Sequence, residues 1–241
     1  MTLSAEALRV SLVSSVKDLI EDRPGRIAIE DLLADLTFGA DALEAILAAP
    51  TELDPWRVGE ALAACVAAEH EICIFPWPPS RDARTPRASL PGADLAGFRQ
   101  VGDEHQFAFG EIKTSSERTS PPSVVSHSRD GLTAQLLRLR DEKGHREALF
   151  RYLAHRARGQ AWEAAFRSAA SRFLGDDNDV FLVGLIVRDT PPEQADLASS
   201  ARRLAKDCPA STCVHLAAVY LPPDTISGLE QMYLDANAEA A

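Results

Sequence analysis

Three side chains stand at spacings that chemistry can use. In Phe107-Ala108-Phe109-Gly110-Glu111-Ile112-Lys113 a run with alternating bulky residues ends on two charges. Side chains two apart on a strand share a face, so Glu111 and Lys113 project together while Ile112 faces the other way. A charged pair at the end of a buried strand is costly unless its charges are paired or used. The plainer alternative is a strand end surfacing into water, with Glu111 and Lys113 as a weak surface pair. Asp94 opens the preceding β-prone run. It lies 8 residues before Gly102, the expected turn, and Glu111 lies 9 after it. In a hairpin the two carboxylates then stand almost opposite each other, although a register slip of one residue would turn Asp94 away. Two carboxylates and a lysine at one sheet end suit a hard divalent cation, Mg²⁺ or Mn²⁺, which takes few protein oxygens and fills its shell with water and phosphate. Such an ion acidifies a bound water and offsets phosphate charge. Lys113 would orient that water and stabilise the transition state.

The flanking sequence supplies elements able to position these groups. Apolar residues at Leu8, Leu12, Val16, Leu19 and Ile20 predict a helix over 4–22, stopped by Arg23-Pro24-Gly25. Two short helices follow at 27–36 and 40–47, and Ala49-Pro50-Thr51 ends the cluster. Asp54-Pro55 reads as an N-cap and first turn of a helix running to His70. Residues 72–75 form a short β-prone run, and 76–92, rich in Pro, Arg and Ser, a long loop. Strands at 95–101 and 106–113 form the hairpin. After a polar loop, helices are predicted at 132–141, 144–157 and 160–174. Val180 to Val187 reads as a buried parallel strand, with a helix at 193–206, a second buried strand at 212–221, and a last helix from Pro222-Pro223 over 224–238. This order predicts an α/β mixed sheet with helices on both faces. The expected organisation is an N-terminal helical cluster (1–52), a core with inserted helices (53–190) and a C-terminal α-β-α extension of the same sheet (191–241).

Composition narrows the function classes. The chain has 241 residues, 46% hydrophobic and 25% charged, the balance of a globular domain with a real core. There is no membrane-length apolar run and no basic, apolar leader at the N-terminus, so a cytoplasmic location is expected. A net charge of −11 argues against non-specific coating of nucleic acid. The charge is uneven: residues 1–50 carry 4 basic and 9 acidic side chains, and residues 118–172 carry 11 basic and 5 acidic ones. That basic island reads either as a set of solvated helix faces or as a local contact for a phosphate backbone. Cys65, Cys73, Cys208 and Cys213 form no CxxC pair. Cys208, Cys213 and His215 lack a fourth local ligand for zinc. No HExxH, no GxSxG elbow and no GxxxxGK[ST] loop is present. His127 and Ser115-Ser116 fall in the polar loop after Lys113.

Gly92-Ala93-Asp94, then Glu111-Ile112-Lys113 about 17 residues on, resembles the signature of the PD-(D/E)XK, or restriction-endonuclease-like, nucleases. The sequence departs from the strict motif in placing its proline at Pro91 and Ala93 directly before the aspartate. The resemblance covers about half the chain and implies an α-β-β-β-α-β core. The sequence pattern sets an N-terminal helical cluster and a C-terminal β-α-β-α extension around that core, and the resemblance implies Mg²⁺ (or Mn²⁺) bound by Asp94 and Glu111, and catalysis aided by Lys113. Relatives place a further metal-facing carboxylate on the helix before the sheet, which implies Glu60, with Glu69 as its competitor. They carry a Gln or Lys on the helix after the catalytic strand, which implies Gln135. Phe109 to Glu117 is also similar to nuclease subunits of bacterial anti-phage defence systems. The implied activity is DNA endonuclease, with a helicase or ATPase partner for any nucleotide-driven step and room for a homo-oligomer. Two rivals stand beside it: a degenerate nuclease fold that binds nucleic acid or a partner, and a hydrolase of small phosphoesters.

Overall fold

The computed structural model describes residues 1–35, 40–47, 53–71, 73–82 and 92–239. Its centre is a five-stranded mixed sheet in sequence order, β1 (Cys73–Ile74), β2 (Leu95–Val101), β3 (Glu104–Ser115), β4 (Val180–Arg188) and β5 (Cys213–Tyr220). The first three strands are antiparallel neighbours, and β3–β4 and β4–β5 are parallel. Parallel neighbours need crossovers, and helices supply both. The α/β class and the helix-flanked mixed sheet expected from the sequence are therefore present.

The alternation along β3 divides the core. Ala108 and Ile112 join Val183, Leu185 and Val187 on one face, under α5 (Pro55–Glu71), α1 (Ala5–Leu12), α2 (Ser15–Ile20) and α11 (Leu229–Glu239). Phe107 and Phe109 join Leu182 and Ile186 on the other, under α7 (Leu132–Asp141), α8 (Lys143–Ala157), α9 (Glu163–Gly175) and α10 (Ala195–Ala205). β4 is buried along its whole length, as its unbroken apolar sequence requires. Leu8, Leu12 and Val16 are fully buried in the first of these cores, so the N-terminal helices α1 and α2 share it with the sheet.

Local chemistry moved several boundaries. The single helix expected over 4–22 is two, broken at Val13 and Ser14, where the Ser14 hydroxyl bonds the Val10 carbonyl. Arg23-Pro24-Gly25 begins a helix instead of ending one: the Asp22 carboxylate caps Gly25 N, and Pro24 sits in the first turn of α3 (Arg23–Leu33), where its fixed φ fits. The short helix at 40–47 is α4 (Ala40–Leu47). The polar loop after Lys113 contains α6 (Ser123–Ser126), and the last helix starts later than expected, after a 3-10 turn at Ile226–Gly228. In the long loop before Asp94 a 3-10 turn occupies Pro79–Asp82. Ile72, Ala49-Pro50-Thr51, Leu36, the stretch 83–91 and with it Pro91 lie outside the described residues. Among the described residues no helix is long and apolar enough to cross a membrane.

Candidate active site

The β2–β3 hairpin sets the geometry. Leu95 pairs with Gly110, and Val101 with Glu104 around Gly102, whose φ of 61° is a conformation glycine adopts without strain. One step beyond Leu95 the register brings Asp94 opposite Glu111. β2 ends there, and the Asp94 carboxylate accepts the Ile112 N–H at 2.8 Å, taking the place of the missing strand. Glu111 is 1% exposed and points to the same face as Phe107 and Phe109. Lys113 projects beside it and donates from Nζ to Glu111 Oε1 at 2.7 Å. The other Glu111 oxygen, Oε2, is buried and faces no donor. Asp94 next to it would accept a hydrogen bond only if Glu111 carried a proton. Burial, and then the negative charge of Asp94, push the Glu111 carboxyl up to about 8, with Lys113 pulling the other way.

Glu60 approaches from the opposite layer, on α5. Its carboxyl is also pushed up to about 8, first by burial and then by the charge of Asp94, and it lies within the field of Lys113 and Glu111. Glu69, its competitor on the same helix, is exposed. Glu60 adds its charge to the pair without completing a cage: among the described residues, no three His, Cys, Asp or Glu side chains are grouped to hold an ion. Gln135 lies on α7, over the face that carries Glu111, with its Oε1 buried and unpartnered.

Two neighbours of the predicted set were not singled out from the sequence. Gly59 lets α5 lie against β3: a Cβ there would fall 2.5 Å from Thr114 Oγ1 and 3.2 Å from its Cγ2. Glycine beside an expected site glutamate, inside a helix, is the signal that marks this approach. Gly59→Ala is expected to lift α5 and the Glu60 it carries, lowering stability by about 1–3 kcal/mol through overpacking. Urea unfolding would measure this, and Gly59→Ala/Thr114→Ala should recover most of the loss.

The remaining sequence candidates fall elsewhere. Ser115 is buried and accepts the Glu117 N–H, and His127 Nδ1 accepts from the Arg129 and Asp130 amides in an exposed turn. Cys208, Cys213 and His215 do not assemble as ligands: His215 meets Glu71, Cys213 receives a contact from Arg99 at 3.6 Å, and Cys208 lies by the Thr212 carbonyl. Part of the basic island is internal, while Arg118, Arg129, Lys143, Arg151, Arg158 and Arg167 are exposed. Arg140 binds the Leu204 and Lys206 carbonyls at the end of α10, and Arg146 binds the Leu139, Arg140 and Asp177 carbonyls, both from buried positions. Arg156 pairs with Asp82 at 2.6 Å and Arg172 with Asp179 at 2.8 Å. Helix C-termini need cations, and Arg140 and Arg146 provide them at the ends of α10 and α7.

No protein-family model matches the chain, and no curated protein matches it.

Proposed function

We propose that this chain is a metal-dependent nuclease with a restriction-endonuclease-like core, hydrolysing phosphodiester bonds in DNA as an endonuclease. One observation carries the reading: Asp94 and Glu111 meet at the open end of the β2–β3 hairpin beside Lys113, and Glu111 Oε2 is buried without a donor. A buried oxygen in that condition, among carboxyls whose ionisation is opposed by burial and by each other, suits a cation better than it suits water. Asp94 and Glu111 would hold Mg²⁺ or Mn²⁺, with Glu60 set back from them. When bound, the ion acidifies a water and offsets phosphate charge. The residues of the chain do the rest. Glu111 Oε1 holds Lys113 Nζ at the site, and Lys113 presents its charge and donors to the attacking water and the phosphate. Gln135, whose Oε1 is buried and unpaired, would hold a water from the α7 side.

The test is cleavage of duplex DNA, single-stranded DNA and RNA by the purified chain, with Mg²⁺, with Mn²⁺ and with chelator. Lys113→Ala is expected to cost at least about 100-fold in rate, the scale of losing a donor to developing charge. Undiminished metal-dependent cleavage by both Lys113→Ala and Glu111→Ala would rule the reading out.

The engaged arginines favour a second reading, a nuclease fold that binds nucleic acid or a helicase or ATPase partner without cutting. Titration calorimetry separates the two, since the first requires Mg²⁺ or Mn²⁺ binding that Asp94→Asn and Glu111→Gln weaken. We also propose, from the similarity of Phe109 to Glu117, service as the effector subunit of a bacterial anti-phage defence or restriction system.

A further inference from the structure

β5 is the last strand of the sheet, and only half of its outer edge is closed. The closed half is covered by the chain's own first residues: Tyr220 N donates to the Met1 carbonyl, Leu3 N to the Tyr220 carbonyl, and Met1 N to the Ala218 carbonyl. These bonds fix the direction of every group on the strand. Successive residues of a strand turn their N–H and C=O to opposite sides, and the register with β4 runs unbroken from Cys213 to Tyr220. Ala218 and Tyr220 face outward, and Leu221, just past the strand, donates inward to the Arg188 carbonyl. Val214 and Leu216 therefore also face outward. Their two N–H and two C=O groups have no backbone partner among the described residues.

The open segment lacks the features that blunt an edge. Cys213-Val214-His215-Leu216-Ala217 contains no proline, no lysine and no carboxylate, and its side chains are half-buried or exposed. It is also self-complementary. If two such segments run antiparallel about a two-fold axis at His215, Val214 of each faces Leu216 of the other as a hydrogen-bonded pair. The four open groups of Val214 and Leu216 on each copy are then satisfied, by four bonds in total, and the outward N–H of Ala218 lies beyond this register. Val214 and Leu216 also become apolar cross-strand neighbours. Pairing in this register ends before Ala218, so Met1 to Leu3 keep their places. A two-fold pairing centred on Leu216 would set Val214 against Ala218, where Met1 already sits.

We propose that the open half of the β5 edge pairs with the same segment of a second copy of this chain, joining two five-stranded sheets into one. The inference stands apart from the nuclease reading and uses none of its residues. Sedimentation equilibrium of the full chain, from low to several hundred micromolar, should show mass rising from 26.1 kDa toward twice that value. Val214→Pro removes an N–H that faces outward and takes nothing from the β4–β5 ladder. It should weaken the dimer at least tenfold while the monomer's circular dichroism is unchanged. A second variant uses the axis itself. His215 opposes its own copy in a close pair, with Cα atoms about 4.5 Å apart, inside the range a disulfide spans. Mild oxidation should convert His215→Cys to a covalent dimer and leave the wild type, with its four native cysteines, uncrosslinked. A wild type that stays at the monomer mass throughout overturns the proposal. So does a folded Val214→Pro chain that dimerises with undiminished affinity, or a His215→Cys chain that crosslinks no more than wild type.

Discussion

Glu111→Gln is expected to stabilise the metal-free protein at alkaline pH and to abolish its metal-dependent cleavage. The carboxyl of Glu111 is held up to about 8, against an ordinary value of 4.5. In the unfolded chain it loses its proton near 4.5, while the folded chain keeps it to about 8. Between those limits the folded state binds more protons, so stability falls as pH rises, by about 1.4 kcal/mol per unit for a group that titrates alone. Glu60 has the same sign over the same window, and the two share the field of Asp94, so they titrate as a cluster. Thermal melts of the metal-free wild type should therefore drop from pH 5 to pH 8 and level off above. Glutamine carries no charge to bury and can still accept from Lys113 Nζ. The melt of Glu111→Gln should vary less with pH and lie above wild type at pH 8.5, with the gap closing toward pH 5. Mg²⁺ should reverse the order, raising the wild-type melt at pH 8.5 and leaving the variant's nearly unmoved. Loss of a metal-holding carboxylate removes several kcal/mol of transition-state stabilisation, about 1,000-fold or more in rate. A variant less stable than wild type at pH 8.5 without metal would show that Glu111 is a structural ion-pair partner of Lys113 and nothing more.

What the sequence disclosed about this site, and what it hid, follows from the range of the forces involved. Glu111 and Lys113 were legible as a pair because the period of a strand is fixed by the backbone. Asp94 was legible because a two-residue turn at Gly102-Asp103 fixes the register of a hairpin, and Leu95 does pair with Gly110. Glu60 is a harder case. Nothing local says which turn of a 17-residue helix will rest on β3, and that choice is made by Gly59 meeting Thr114, a contact 55 residues apart in sequence. Part of the basic island was hidden for a related reason. Composition counts charges but not what they touch, and Arg140 and Arg146 are spent on carbonyls of helix ends that only the fold brings near. At the N-terminus the same limit appears in miniature. Arg23-Pro24-Gly25 has the residues of a stop, and it is Asp22, turned to a φ of 46° with its carboxylate over Gly25, that makes it a start. Asp22 in turn holds Arg81 at 2.6 Å, a partner no local pattern could have indicated.

Arg188→Ala should be among the most damaging single substitutions outside the candidate site. Arg188 closes β4 and is 1% exposed, and Asp196, on α10, is equally buried. Their ion pair spans 2.5 Å. The Asp196 carboxylate also accepts from Ser120 Oγ at 2.5 Å and from the Tyr220 hydroxyl at 2.9 Å, and the Arg188 guanidinium holds the Glu117 and Thr119 carbonyls. One pair thus ties together β4, β5, α10 and the loop that leaves the strand of Lys113. Removing the arginine strands a carboxylate in the interior, which costs about 3–5 kcal/mol. For a chain of this length that is a fall of about 6–20 °C in Tm. Replacing both partners, as Arg188→Met/Asp196→Leu, leaves no buried charge and should cost clearly less than Arg188→Ala alone. Completed with the single variants Arg188→Met and Asp196→Leu, this cycle measures the coupling. The loop contacts add a second consequence. With Glu117 and Thr119 released, the end of β3 loses its anchor, and cleavage by the double variant should fall more than its stability explains. A double variant as active as wild type would confine Arg188 to holding the fold.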